Sequence, residues 1–79
     1  MEYVLVGGSN YDEDLYEGLW TIDYESGIAK LNESDDVKFL ESNGNEVVRY
    51  KYDVESYLEE NGCKNIVEHF DEDVFTFER

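Results

Sequence analysis

The chain has 79 residues, with 21 Asp or Glu against 6 Lys or Arg and a formal net charge of −15. This length makes one domain, spanning residues 1–79, and the sign of the charge excludes nucleic acid and anionic lipid as ligands, since both require cationic side chains that displace condensed counterions. No run approaches the roughly 18 consecutive apolar residues of a membrane span, and Met1-Glu2-Tyr3 lacks the basic start of a signal peptide, so a soluble protein of the cytoplasm is expected.

The aromatic content (seven Tyr, four Phe and one Trp) supplies enough apolar area to expect a fold despite the charge. In chain order, Tyr3-Val4-Leu5-Val6 is a strand ended by Gly7-Gly8-Ser9-Asn10. Tyr11 to Glu17 is either an exposed loop or one irregular helical turn. Leu19 to Tyr24 alternates Trp20, Ile22 and Tyr24 with Leu19, Thr21 and Asp23, the period of a second strand; Glu25-Ser26-Gly27 turns it into a short third strand, Ile28 to Leu31. Ser34 is a candidate cap for a helix through Asp35 to Leu40, closed by Asn43-Gly44-Asn45. Glu46 to Tyr52 reads as a strand. Asp53 caps a helix with Val54, Tyr57 and Leu58 on one face and Asn61-Gly62 as its stop. Asn65 to Phe70 and Val74 to Glu78 read as a closing hairpin, with a helix over the first half as the alternative. The expected class is α+β: a mostly antiparallel sheet of four to six short strands with one or two short helices.

Residues 1–27 carry seven acids and no base, residues 28–52 five acids and four bases, and residues 53–79 nine acids and two bases. Two knots stand out, Asp12-Glu13-Asp14 with Glu17, and Asp71-Glu72-Asp73. Carboxylates this close repel unless water, a metal or a cationic partner stabilises them. Asn10, Asp12 and Asp14 have the spacing that opens a calcium loop, but Leu15 and Thr21 stand where that loop needs Gly and Glu. No metal or other cofactor is expected. Acids about 6.6 Å apart along a strand face match the spacing of cationic side chains that grip phosphates, and carboxylates accept the bidentate Arg pairs otherwise given to phosphate. The partner-binding residues are therefore expected to be Asp12, Glu13, Asp14, Glu17, Asp71, Glu72 and Asp73, with Tyr11 and Tyr16 as anchors. If the terminal strands lie side by side, the two knots merge into one face. Tyr24, Tyr50, Tyr52 and Tyr57 are expected to be half-buried with hydrated hydroxyls, and Trp20 to be core. His69 and Cys63 lack any feature that would lower the thiol pKa, and no catalytic constellation is present, so no enzyme is expected.

The stretch Tyr3 to Gly8 with Leu19 to Gly27 resembles one strand-loop-strand unit of a lactonase-type β-propeller blade, without the repeats a propeller requires. At the level of class, the small size, the acids interleaved with Tyr and Phe, and Asn43-Gly44-Asn45-Glu46-Val47-Val48 followed by a strand, a helix and an acidic end resemble phage-encoded DNA-mimic inhibitors of the anti-CRISPR and antirestriction type. That resemblance implies a non-enzymatic inhibitor in the host cytoplasm. Its acidic surface would block the DNA/RNA-binding site, or the site reading the protospacer-adjacent motif, on a CRISPR effector or restriction nuclease. The alternatives are an immunity protein for a basic toxin nuclease and a calcium-binding or acid-rich interaction domain.

Overall fold

Short runs of alternating apolar and polar residues pair into a six-stranded sheet. The computed structural model describes residues 1–7, 16–33 and 36–79, with the backbone alone at 16 and 17. The strands are β1 (Glu2–Gly7), β2 (Tyr16–Asp23), β3 (Ile28–Leu31), β4 (Val47–Tyr50), β5 (Lys64–His69) and β6 (Val74–Glu78), with helices α1 (Val37–Ser42) and α2 (Val54–Glu60). Their order across the sheet is β4-β1-β2-β3-β6-β5. Every pairing is antiparallel except β1 with β4, which the chain reaches by a crossover through β2, β3 and α1. The α+β class with a mostly antiparallel sheet is thus observed.

Several boundaries move, each for a tertiary reason. β2 starts at Tyr16 because β1 runs on to Gly7 and the two residues pair, so Tyr16 and Glu17 belong to a strand and not to the loop or helical turn expected of them. β4 ends at Tyr50, two residues early, where its pairing with β1 stops at Val6. The cap of α1 is Asp36, whose Oδ1 accepts from the Phe39 N–H at 3.0 Å; Ser34, expected in that role, lies outside the described residues. Residues 65–69 form a strand and not a helix, as β6 pairs antiparallel with Lys64 and with Val67 to His69 on either side of an irregularity at Asn65 and Ile66.

Other elements follow the sequence signals directly. The Asp53 Oδ1 accepts from the Ser56 N–H at 2.8 Å at the start of α2, and Asn61 with Gly62 (φ 82°) closes it. An Asp53→Ala substitution should cost about 1 kcal/mol in urea unfolding, the usual worth of an N-cap. In the β2–β3 turn the Asp23 carboxylate accepts from the Glu25 and Ser26 N–H groups, and these bonds, Ser26's first, hold its pKa below the usual value.

The sheet divides the core in two. Val4, Val6, Trp20, Ile22, Phe75 and Phe77 point to one face, which α2 covers with Val54, Tyr57 and Leu58. Leu5, Leu19 and Val47 point to the other, where α1 adds Val37 and Leu40. Trp20 is core, 7% exposed, with its ring edge-to-face on Phe75 at 5.4 Å. Among the described residues no helix is long and apolar enough to cross a membrane.

Candidate acidic interface

Strand direction decides which loops meet. β1, β3, β4 and β5 finish at the same end of the sheet where β2 and β6 begin, as the pairing directions require. The β5–β6 turn and the start of α2 therefore lie at one end, and the segment between Gly7 and Tyr16 leaves and re-enters there. The terminal strands are not neighbours: β2 and β3 separate β1 from β6. The two acidic segments are therefore not brought together by adjacent terminal strands. Tyr11, Asp12, Glu13 and Asp14 lie outside the described residues, as do the side chains of Tyr16 and Glu17.

Asp71, Glu72 and Asp73 are all exposed, in a turn closed by the Glu72 N–H donating to the His69 carbonyl at 3.1 Å. Asp73 takes φ 53°, a left-handed conformation that Asp tolerates better than most residues. Its carbonyl accepts from the Leu31 N–H at 3.0 Å, which ties the turn to the end of β3. Phe70 opens the turn with 79% of its surface exposed. An aromatic side chain held in water beside three carboxylates is the kind of residue that anchors interfaces. Sequence reasoning placed the anchors at Tyr11 and Tyr16 and missed this one, although a Phe directly before an acidic turn was a readable signal.

A second acidic group comes from elements distant in sequence. Asp53 and Glu55 at the start of α2 and Glu68 on β5 line a cavity of about 210 Å³ floored by Trp20, Val54 and Phe75. None of these three carboxylates was placed in a site from the sequence, where Asp53 is read as a helix cap alone, because their proximity depends on how α2 lies over the hairpin. The single salt bridge among the described residues, Arg49 to Glu41 at 3.1 Å, lies on the opposite face with α1. No group of three His, Cys, Asp or Glu among the described residues is close enough to hold a metal ion.

The remaining titratable residues serve the fold. Cys63 is buried, and burial pushes its thiol pKa up, with Arg79 acting weakly in the other direction. His69 meets the Thr76 hydroxyl at 3.1 Å from the far end of β5. The tyrosines depart from the expectation of hydrated hydroxyls: Tyr24 and Tyr57 both donate to Glu2 Oε1, at 2.7 and 2.8 Å. The buried hydroxyl of Tyr50 has no hydrogen-bond partner. Burial first, and then the nearby Glu60 carboxylate, which falls short of hydrogen-bond geometry, raise the Tyr50 phenol to about 12. Of the four, Tyr52 is the exposed one.

No protein-family model, curated protein or solved structure matches the chain.

Proposed function

We propose that the protein is a non-enzymatic inhibitor whose carboxylates occupy a basic, nucleic-acid-handling surface of another protein, with a host-defence nuclease complex of the CRISPR or restriction type as the partner class. The observation that carries this reading is the end of the sheet where Asp53, Glu55, Glu68, Asp71, Glu72 and Asp73 are exposed beside Phe70, while the single salt bridge among the described residues lies elsewhere. Uncompensated charge on this scale speeds association with a cationic partner, and contacts to Arg and Lys then hold the complex. The exposed Phe70 adds apolar contact that a purely electrostatic encounter lacks.

The test is capture of partners from host lysate with the immobilised protein at low and high salt. Capture of a basic nucleic-acid-handling protein that is lost as salt rises is expected; a partner held equally at both would remove charge mimicry as the mechanism. The captured nuclease itself separates a defence complex from a toxin neutralised by an immunity protein. Reversal of the turn, Asp71→Lys with Asp73→Lys, should weaken that partner's binding at least tenfold, as like charges meet where opposite ones did. Unchanged affinity would take the turn out of the interface. These side chains are exposed, but Asp73 holds φ 53°, which Lys tolerates less well than Asp, so the variant's melting temperature should fall by a few degrees while the fold is kept.

A further inference from the structure

We propose that the cavity between α2 and the β5–β6 hairpin is a socket for a single arginine residue of a partner polypeptide. The proposal deepens the charge-display reading above and rests on it. The size of the cavity, about 210 Å³, lies below the roughly 300 Å³ at which small-molecule sites begin, and suits one side chain. Its floor is Trp20, Val54 and Phe75, and its rim carries the carboxylates of Asp53, Glu55 and Glu68.

Aromatic floor and acidic rim together select among cations. A metal ion needs ligands converging on one point, and among the described residues no such group exists. A guanidinium is planar, weakly hydrated and delocalised, so it stacks on aromatic rings and spreads its donors over carboxylates that do not converge. A lysine ammonium is a compact, strongly hydrated point charge and uses this geometry less well.

A second, independent observation comes from the floor. The Trp20 indole N–H is buried and has no hydrogen-bond partner, in a side chain only 7% exposed. A buried donor left unsatisfied is costly, and few are tolerated in a native fold without a reason. A guanidinium has no acceptor to offer, whereas an arginine within a polypeptide brings peptide carbonyls with it. The carboxylates ask for a cation, which the arginine supplies; the indole N–H is closed off from solvent, so a peptide carbonyl reaches it only as neighbouring side chains shift.

Trp20 is the only tryptophan in the chain, so its fluorescence reports on this cavity directly. The probe is N-acetyl-arginine methylamide, with N-acetyl-citrulline methylamide as the uncharged analogue of similar shape. The arginine derivative should change the Trp20 emission saturably, and the citrulline derivative should bind at least tenfold more weakly. Glu68→Gln and Glu55→Gln, both at exposed positions, should each weaken the arginine derivative about fivefold, the scale of one partly exposed charge pair. Backbone amide shifts should centre on Val54, Glu68 and Phe75. An unsaturable response, equal responses to the two derivatives, or shifts confined to residues 71–73 would overturn the socket. Its failure while salt-sensitive partner capture persists leaves the charge display standing; loss of both removes both.

Discussion

Gly27→Ala is expected to lower the free energy of unfolding by about 3 kcal/mol, from two separate causes. Gly27 has φ +72°, and a left-handed residue with a Cβ costs about 1 kcal/mol or more. An added Cβ would also meet the backbone carbonyl oxygen of Phe77 closer than such atoms approach. Backbone cannot rotate away as a side chain does. The two strands have to part at the point where the Phe77 N–H donates to the Gly27 carbonyl at 2.9 Å. Gly44→Ala separates the causes: φ is +85° there and nothing lies within 4 Å of the new methyl, so the conformational cost of about 1 kcal/mol stands alone. Urea unfolding should show a lower midpoint for both variants with unchanged slope, and the melting temperature of Gly27→Ala should fall by roughly 12 °C or more. Equal losses at the two positions would mean that β6 does not press on the turn as described.

The same turn illustrates what was legible in the sequence. Glu25-Ser26-Gly27 announces a tight reversal by residue type alone, because local chemistry is sufficient to make it. α2 was legible for a similar reason, with Asp53 and Asn61-Gly62 marking both ends. Boundaries set by a partner strand were not. Lys51 and Tyr52 have the pattern of a strand but lie past the last β1–β4 pair, Val6 with Tyr50, and Tyr16 and Glu17 have no strand signature but are recruited by Gly7. Residues 65–69 fit two periods over so few positions that only β6 decides between them.

The candidate site divides along the same line. The Asp71-Glu72-Asp73 turn is a run of adjacent residues, so its charge could be read directly. The cavity unites Trp20 from β2, Asp53 and Glu55 from α2 and Glu68 from β5, and no spacing along the chain expresses that meeting. Helix α2 joins the two ends of the molecule: its start rims the cavity, and Tyr57 at its midpoint reaches Glu2 on β1. The integrity of the acidic end thus depends on packing at the opposite end, where a carboxylate does structural work.

That carboxylate carries the other large expected effect: Glu2→Ala should cost about 2–3 kcal/mol. Its Oε1 accepts the hydroxyls of Tyr24, beside the β2–β3 turn, and Tyr57, on α2, and bonds to a charged acceptor are stronger than neutral ones. Tyr24 also holds Arg79 over its ring at 4.5 Å and packs edge-to-face on Phe77. Removing Glu2 leaves two phenols without their acceptor and cuts the hydrogen bond that ties α2 to β1, leaving apolar packing between them. Glu2→Gln retains an acceptor without the charge and should lose less than half as much. The losses should not add: Tyr57→Phe, which removes one of the two donors, should cost much less in the Glu2→Ala background than in the parent. Alkaline titration gives an independent measure. Burial first, and then the bond to Glu2, raise the Tyr24 phenol pKa strongly and that of Tyr57 to about 12, from an ordinary 10.0. A group whose pKa is higher folded than unfolded keeps its proton longer in the fold. Its stabilisation is therefore complete below pH 10 and is lost as pH rises through about 12. Tyrosinate absorbance should show these phenols titrating late in the parent and earlier in Glu2→Ala, because the carboxylate that favours the protonated form is gone. If the two titration curves coincide, Glu2 is not their shared acceptor, and the link between β1 and α2 must be apolar packing alone.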